Sequence, residues 1–193
     1  AVQAQYEENP YPRWIRTTVT GTPETLSEHL RNAFPHAELA PFNDAGPEVL
    51  IAGCGTGRNA LETHRALAGA RTLAIDLSLT SLAYAWRKAR EAGETDLQFA
   101  QADLLNIAAL GRSFDLIEAS GVLHHLAEPF AGWRALLSVL RPGGVMRLGF
   151  YSALARRGLP DIEIAEPTLD ALRQARQTLA TRRDPAANQA LLA

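Results

Sequence analysis

Three glycines at alternating positions, Gly53, Gly55 and Gly57, carry the clearest chemistry in this sequence. They end the apolar run Val49-Leu-Ile-Ala52 and lead into Arg58, with Cys54 and Thr56 between them. Glycine is needed where backbone turns sharply or approaches a ligand closely, because a Cβ would clash. A helix-compatible stretch follows from Asn59 to Ala68, so the turn delivers a helix N-terminus. The free N–H groups and positive dipole end there favour a polar or anionic ligand. We read the stretch as the binding site of a nucleoside-type cofactor. The spacing G-x-G-x-G differs from the G-x-G-x-x-G turn of dinucleotide-binding folds, which wants a small residue where Arg58 stands.

Acids at the ends of later apolar runs extend the pattern. Arg71-Thr-Leu-Ala-Ile-Asp76 is a second short strand, and Asp76 suits the two vicinal hydroxyls of a ribose. Leu97 to Asp103 is a third, with Asp103 suited to an adenine amino group. Phe114 to Ala119 is a fourth, running into Ser120-Gly-Val-Leu-His-His-Leu126. Arg141-Pro-Gly-Gly144 is a loop feeding a fifth strand up to Phe150. The expected cofactor wall is Gly53, Cys54, Gly55, Gly57, Asp76, Leu77, Asp103, Leu104, Ser120 and Gly121. His124 and His125 are the candidate general bases. Adjacent residues point in different directions, so at most one faces an acceptor, and a structural histidine bonded to backbone is the alternative. No metal is expected, since two adjacent histidines without a third placed ligand are not a site. Glu118 and Glu128 could form an acid pair gripping a guanidinium, but the residues around them do not fit such a loop.

Helices must connect these strands. Thr22 and Pro23 open a short helix with Leu26, Leu30 and Phe34 at a spacing of four. The helix after the glycine turn is expected to stop at Gly69, with His64 at its surface or boundary. Ser78 or Thr80 caps the next, whose stripe of Leu79, Leu82, Ala83, Trp86 and Ala89 should face the core, leaving Arg87, Lys88 and Arg90 solvated. Leu104 to Leu110 reads as a short helical turn. Pro129 starts a helix whose stripe of Phe130, Trp133, Leu137 and Leu140 should pack on the sheet, and Thr168 to Thr181 is an amphipathic helix. Alternating strands and helices make an α/β, Rossmann-like parallel sheet of order 3-2-1-4-5 with helices on both faces, its ligand crevice between strands 1 and 4.

The motif order GCGTGR, AIDLS, QADLL, FDLIEASGVLHHL and LRPGG resembles the class I S-adenosylmethionine-dependent methyltransferases over roughly residues 46 to 152. Gln5-Tyr-Glu-Glu-Asn-Pro-Tyr-Pro-Arg-Trp14 further resembles a bacterial subgroup often joined to tetratricopeptide repeats, although no such repeat is visible in this chain. The resemblance implies S-adenosylmethionine as cofactor and methyl transfer to an unidentified small molecule or protein side chain. The sequence departs from the family in one respect: no strand-like segment follows Phe150, so the usual sixth and seventh strands are missing. Strand 5 would be an exposed edge. The expectation is that the natural chain continues past Ala193, or that a second copy or another partner covers that edge. The chain therefore divides into an arm and helix at 1–46, a cofactor-binding core at 47–152 and a helical segment at 153–193. The arm, with Tyr6, Tyr11 and Trp14 among prolines, is either a lid or acceptor-side clamp, or a segment packed on the surface. Asn9-Pro-Tyr-Pro12 also has the look of an amino-methylating motif, but no apolar strand precedes it.

Composition excludes little and is consistent with this reading. The 193 residues are 47% apolar, enough for one domain with a substantial core. A net charge of −2 argues against a nucleic-acid or anionic-membrane partner. Cys54 is the single cysteine, which fits a reducing, cytoplasmic setting. No run approaches the roughly 20 apolar residues of a spanning helix, and no secretory signal is visible. Methyl transfer from a sulfonium is an in-line displacement with a neutral leaving group. It therefore needs positioning above all, and a base only when the acceptor must lose a proton. Two other readings stand beside it: a NAD-type oxidoreductase, which lacks its fingerprint here, and a methyltransferase-like binding module without catalysis.

Overall fold

Strand β1 (Glu48–Ala52) is buried from its second residue onward, as its continuous apolar sequence requires of a central parallel strand. It pairs in parallel with β2 (Arg71–Asp76) on one side and β4 (Phe114–Ser120) on the other. β3 (Gln98–Gln101) and β5 (Leu140–Gly149) complete a five-stranded sheet of order β3-β2-β1-β4-β5. The structure is a computed structural model and describes residues 6–8, 10–15, 17, 21–152, 154 and 168–181. The chain forms two compact units, Ala1–Phe150 and Tyr151–Ala193.

Helices α1 (Leu26–Ala33), α2 (Arg58–Ala66), α3 (Leu79–Glu91) and α4 (Pro129–Ser138) surround the sheet of the first unit. Two apolar layers result. One joins Val49, Ile51, Ala74 and Leu116 to Trp14, Leu26, Leu30 and Leu61. The other joins Leu50, Ile75, Ile117 and Ala119 to Ile107, Leu123 and Leu136. Residues ahead of β1 thus share the main core. In the second unit α5 (Leu169–Thr181) matches the expected helix, with Thr168 Oγ1 accepting from the Ala171 N–H at 3.2 Å.

Several local expectations are corrected. Helix α1 starts three residues later than Thr22 and Pro23 suggested, because Thr25 and Glu28 form a reciprocal capping box. Trp86 is 52% exposed rather than core, with the Arg90 guanidinium 5.0 Å above its ring. The inner face of α3 is carried by Ser81, Leu82, Ala85 and Ala89. Phe130, Trp133 and Leu137 do not pack on the sheet either. They are 66%, 40% and 54% exposed, and Gly132 and Leu136 are the buried residues of α4. His64 is buried, with Nδ1 3.1 Å from Thr72 Oγ1 and Nε2 3.3 Å from Asp96 Oδ1. Arg141-Pro-Gly-Gly144 lies within β5 instead of preceding it, and the register against β4 shifts between Phe114 and Leu116. Among the described residues β5 is an edge of the sheet. No helix of the described residues is long and apolar enough to cross a membrane.

Candidate functional site

The glycine turn joins β1 to α2, and its three glycines do different work. All three have positive φ, at 68°, 52° and 81°. A Cβ on Gly53 would come within 2.4 Å of Val122, so that glycine lets the β4 loop close over the turn. A Cβ on Gly57 would meet the Ala85 Cβ at 2.4 Å, so Gly57 allows α3 to pack against the start of α2. Only Gly55 is clear on its Cβ side, its nearest neighbour being the Tyr11 carbonyl oxygen at 3.5 Å.

A cavity of about 470 Å³ opens beside this turn, within the range of small-molecule sites. Its wall brings together nine of the ten predicted cofactor residues: Gly53, Cys54, Gly55, Asp76, Leu77, Asp103, Leu104, Ser120 and Gly121. Gly57 is outside the wall, for the packing reason above. These residues come from the C-terminal ends of β1, β2 and β4 and from the segment after β3. They meet where the strand order reverses, which is where open α/β sheets bind ligands.

Asp76 is already engaged with backbone. Oδ2 accepts from the Gly55 N–H at 2.7 Å, and Oδ1 from the Ser78 N–H at 2.9 Å. Asp103 accepts from the Leu105 N–H at 2.9 Å and caps the 3-10 turn Leu104–Leu110. Both acids therefore have a capping role as well as a place on the cavity wall. The Cys54 thiol is buried there, and burial first, then the charge of Asp76, pushes its pKa far up, so it is not a nucleophile. Of the two histidines, His125 is exposed and lines the cavity, whereas the half-buried His124 does not. Their rings lie 4.3 Å apart.

Further wall residues come from outside the predicted cofactor set, Tyr6 and Tyr11 among them from the arm expected as a lid or clamp. The N-terminal arm supplies Tyr6, Tyr11 and Pro12. It is fastened to the glycine turn: the Thr56 hydroxyl donates to the Pro12 carbonyl at 2.5 Å, and Trp14 Nε1 donates to the Thr56 carbonyl at 2.9 Å. Glu7 accepts from the Leu79 and Thr80 N–H groups at 2.8 and 2.9 Å, an anion at the N-terminus of α3. The Thr80 side chain, then the Thr80 and Leu79 N–H groups, hold the Glu7 carboxyl below its ordinary value. The aromatic-proline composition of the arm was the visible signal. Its reach to α3, more than 70 residues away, was not. Arg58, Asn59 and Glu62 at the start of α2 are also on the wall, and Arg58 pairs with Glu62 at 2.9 Å.

The acid pair weighed from sequence does not form. Glu118 is 2% exposed, and its carboxylate is taken by Asn59, Thr63 and Arg147. Asp115 accepts from the Glu48 N–H and from Arg141, tying the start of β4 to β1 and β5. His64, Glu94 and Asp96 bring potential metal-ligand atoms within 4.8 Å of one another, but none lines the cavity. The hydrogen bond from His64 to Asp96 and the ion pair between Arg65 and Glu94 account for their approach.

Residues 49–144 match the family described as "Methyltransferase domain". An uncharacterized protein, syc1184_c, of Synechococcus sp. is 36% identical over 168 residues, covering 86% of this chain and 40% of its own. The tRNA 5-carboxymethoxyuridine methyltransferase of Escherichia coli is 36% identical over 135 residues, 67% of this chain and 51% of its own. This chain thus spans about half the length of its curated relatives, or less. PKMT2 from Rickettsia typhi, solved in complex with AdoHcy, shares the fold with a TM-score of 0.62 over 94% of this chain and 32% of its own, at 20% identity. S-adenosylmethionine is the cofactor that the family match indicates for this Rossmann-like domain.

Proposed function

We propose that this chain transfers the methyl group of S-adenosylmethionine to a small-molecule or protein acceptor. One observation carries the reading. The cavity at the switch point joins the glycine turn to Asp76, Asp103 and Ser120 on a single wall. In this pose Asp76 holds the ribose hydroxyls, Asp103 and Leu104 meet the adenine, and the backbone at Gly53–Gly55 lies along the ribose and amino-acid portion. Ser120 and Gly121 face the methionine side. Tyr6, Tyr11 and His125 border the remaining space, where the acceptor enters. His125 is the proton acceptor when the methylated atom is a hydroxyl oxygen. The ubiquinone biosynthesis O-methyltransferases, such as that of Albidiferax ferrireducens (34% identical over 113 residues), make an oxygen acceptor the first to try. The arm acts as a lid, since it closes one side of the cavity and grips the glycine turn and the start of α3.

Calorimetric titration of the wild type with S-adenosylhomocysteine and with NAD tests the reading. Micromolar binding of the first and none of the second is expected. NAD binding with no response to S-adenosylhomocysteine would move the chain to the oxidoreductases. Tight cofactor binding without turnover on any oxygen, nitrogen or sulfur acceptor would favour the binding module.

A further inference from the structure

Glu118 is a buried acid at the centre of β4, flanked by Ile117 and Ala119. At 2% exposure such a group is costly unless every oxygen is paired. Here both are. Oε2 accepts from Asn59 Nδ2 at 2.8 Å and from the Thr63 hydroxyl at 2.9 Å, while Oε1 faces Arg147 Nη2 at 3.0 Å. Arg147 Nη2 also donates to Asn59 Oδ1 at 3.4 Å. Asn59 lines the cavity; Glu118 and Arg147 do not.

The chemistry of the partners fixes the Asn59 carboxamide. A carboxylate only accepts and a guanidinium only donates, so the nitrogen must face Glu118 and the oxygen Arg147. The usual ambiguity of an amide flip is absent. Nδ2 carries two N–H groups, and Glu118 takes one of them. The other is left as an oriented donor on the cavity wall, beside Arg58 at the start of α2. Two donors at a helix N-terminus suit a ligand carboxylate.

We propose that Glu118, with Arg147, is a positioning residue that holds Asn59 as a hydrogen-bond donor to the carboxylate at the amino-acid end of the cofactor. The inference rests on the cofactor reading above. It explains why a buried charge interrupts β4, and it gives the first turn of α2 a role in selecting the ligand.

The test compares two ligands that differ at that end: S-adenosylhomocysteine, and methylthioadenosine, which lacks the amino-acid portion. Titrations use the wild type, Asn59→Ala, Glu118→Gln and the double variant, with circular dichroism and thermal unfolding as folding controls. Asn59→Ala, at a half-buried surface position, should weaken S-adenosylhomocysteine about tenfold and leave methylthioadenosine within twofold. Glu118→Gln replaces one acceptor oxygen by an amide N–H where Asn59, Thr63 and Arg147 all donate to the carboxylate. It should cause a similar selective loss, and in the Asn59→Ala background it should add less than twofold. A parallel loss for both ligands would mean a purely structural role and overturn the proposal. Unchanged S-adenosylhomocysteine affinity in Asn59→Ala would do so as well, and that variant decides the matter if Glu118→Gln fails to fold. Failure of the wild type to bind either ligand would remove the cofactor reading itself, and this inference with it.

Discussion

Asp76→Ala should weaken S-adenosylhomocysteine binding at least a hundredfold. A carboxylate offers about four lone-pair positions. The Gly55 and Ser78 N–H groups take two, at 2.7 and 2.9 Å. The remaining two are available to vicinal ribose hydroxyls, each a hydrogen bond to a charged group of about 1.5–3 kcal/mol. Loss of both gives about 3–6 kcal/mol, and a hundredfold change in Kd corresponds to about 2.8 kcal/mol. The variant also removes the acceptor that fixes the Gly55 N–H in the turn, so a drop in melting temperature of a few degrees should accompany it. Asp76→Asn keeps one oxygen for the turn and should fall between the two. Calorimetry reads the affinities directly. A folded Asp76→Ala protein binding within threefold of the wild type would mean that Asp76 only caps backbone.

Trp14→Ala should cost about 3–5 kcal/mol of stability, the usual range for truncating a buried tryptophan. Trp14 is 8% exposed and lies edge-on to Tyr84, with ring centroids 6.2 Å apart. The Tyr84 hydroxyl donates to its carbonyl at 2.5 Å, and the Lys88 ammonium sits 5.7 Å from its ring. At roughly 2–4 °C per kcal/mol for a domain of this size, thermal unfolding should shift down by about 10 °C. Because the indole N–H holds the Thr56 carbonyl in the glycine turn, cofactor affinity should fall with it. Trp14→Phe retains most of the apolar contact but leaves that carbonyl unpaired, and should recover part of the stability and little of the affinity. A melting temperature within one degree of wild type in Trp14→Ala would show that the arm merely rests on the surface.

The sheet and the position of the cavity were legible because they follow from short-range patterns. Apolar runs of strand length alternate with helical stretches, right-handed crossovers leave few topologies, and the polar residues at strand ends collect at one edge. Asp76, Asp103 and Ser120 could be placed for that reason alone. What stayed hidden depends on partners far away in sequence. Nothing near Glu7 says that it caps α3, and nothing near Glu118 announces Asn59 and Arg147. Gly57 reads like Gly55 in the motif, yet it answers to Ala85 on another helix. Trp86 and the stripe of α4 show a different failure. Helical periodicity finds an apolar face but not what covers it, so Phe130, Trp133 and Leu137 were assigned to the sheet although they lie largely open. The Thr25–Glu28 capping box is a local signal that outweighs Pro23 in setting the start of α1.

The central claim is that the cavity beside the glycine turn holds S-adenosylmethionine with its ribose on Asp76. A crystal structure of the S-adenosylhomocysteine complex tests it most directly. The expected density places both ribose hydroxyls within about 3 Å of the Asp76 carboxylate, a hydrogen-bond distance. It also places the adenine against Asp103 and Leu104, and the amino-acid end near Gly53 and Asn59. Density for the nucleoside elsewhere on the molecule, or in this cavity with the ribose turned away from Asp76, would contradict it.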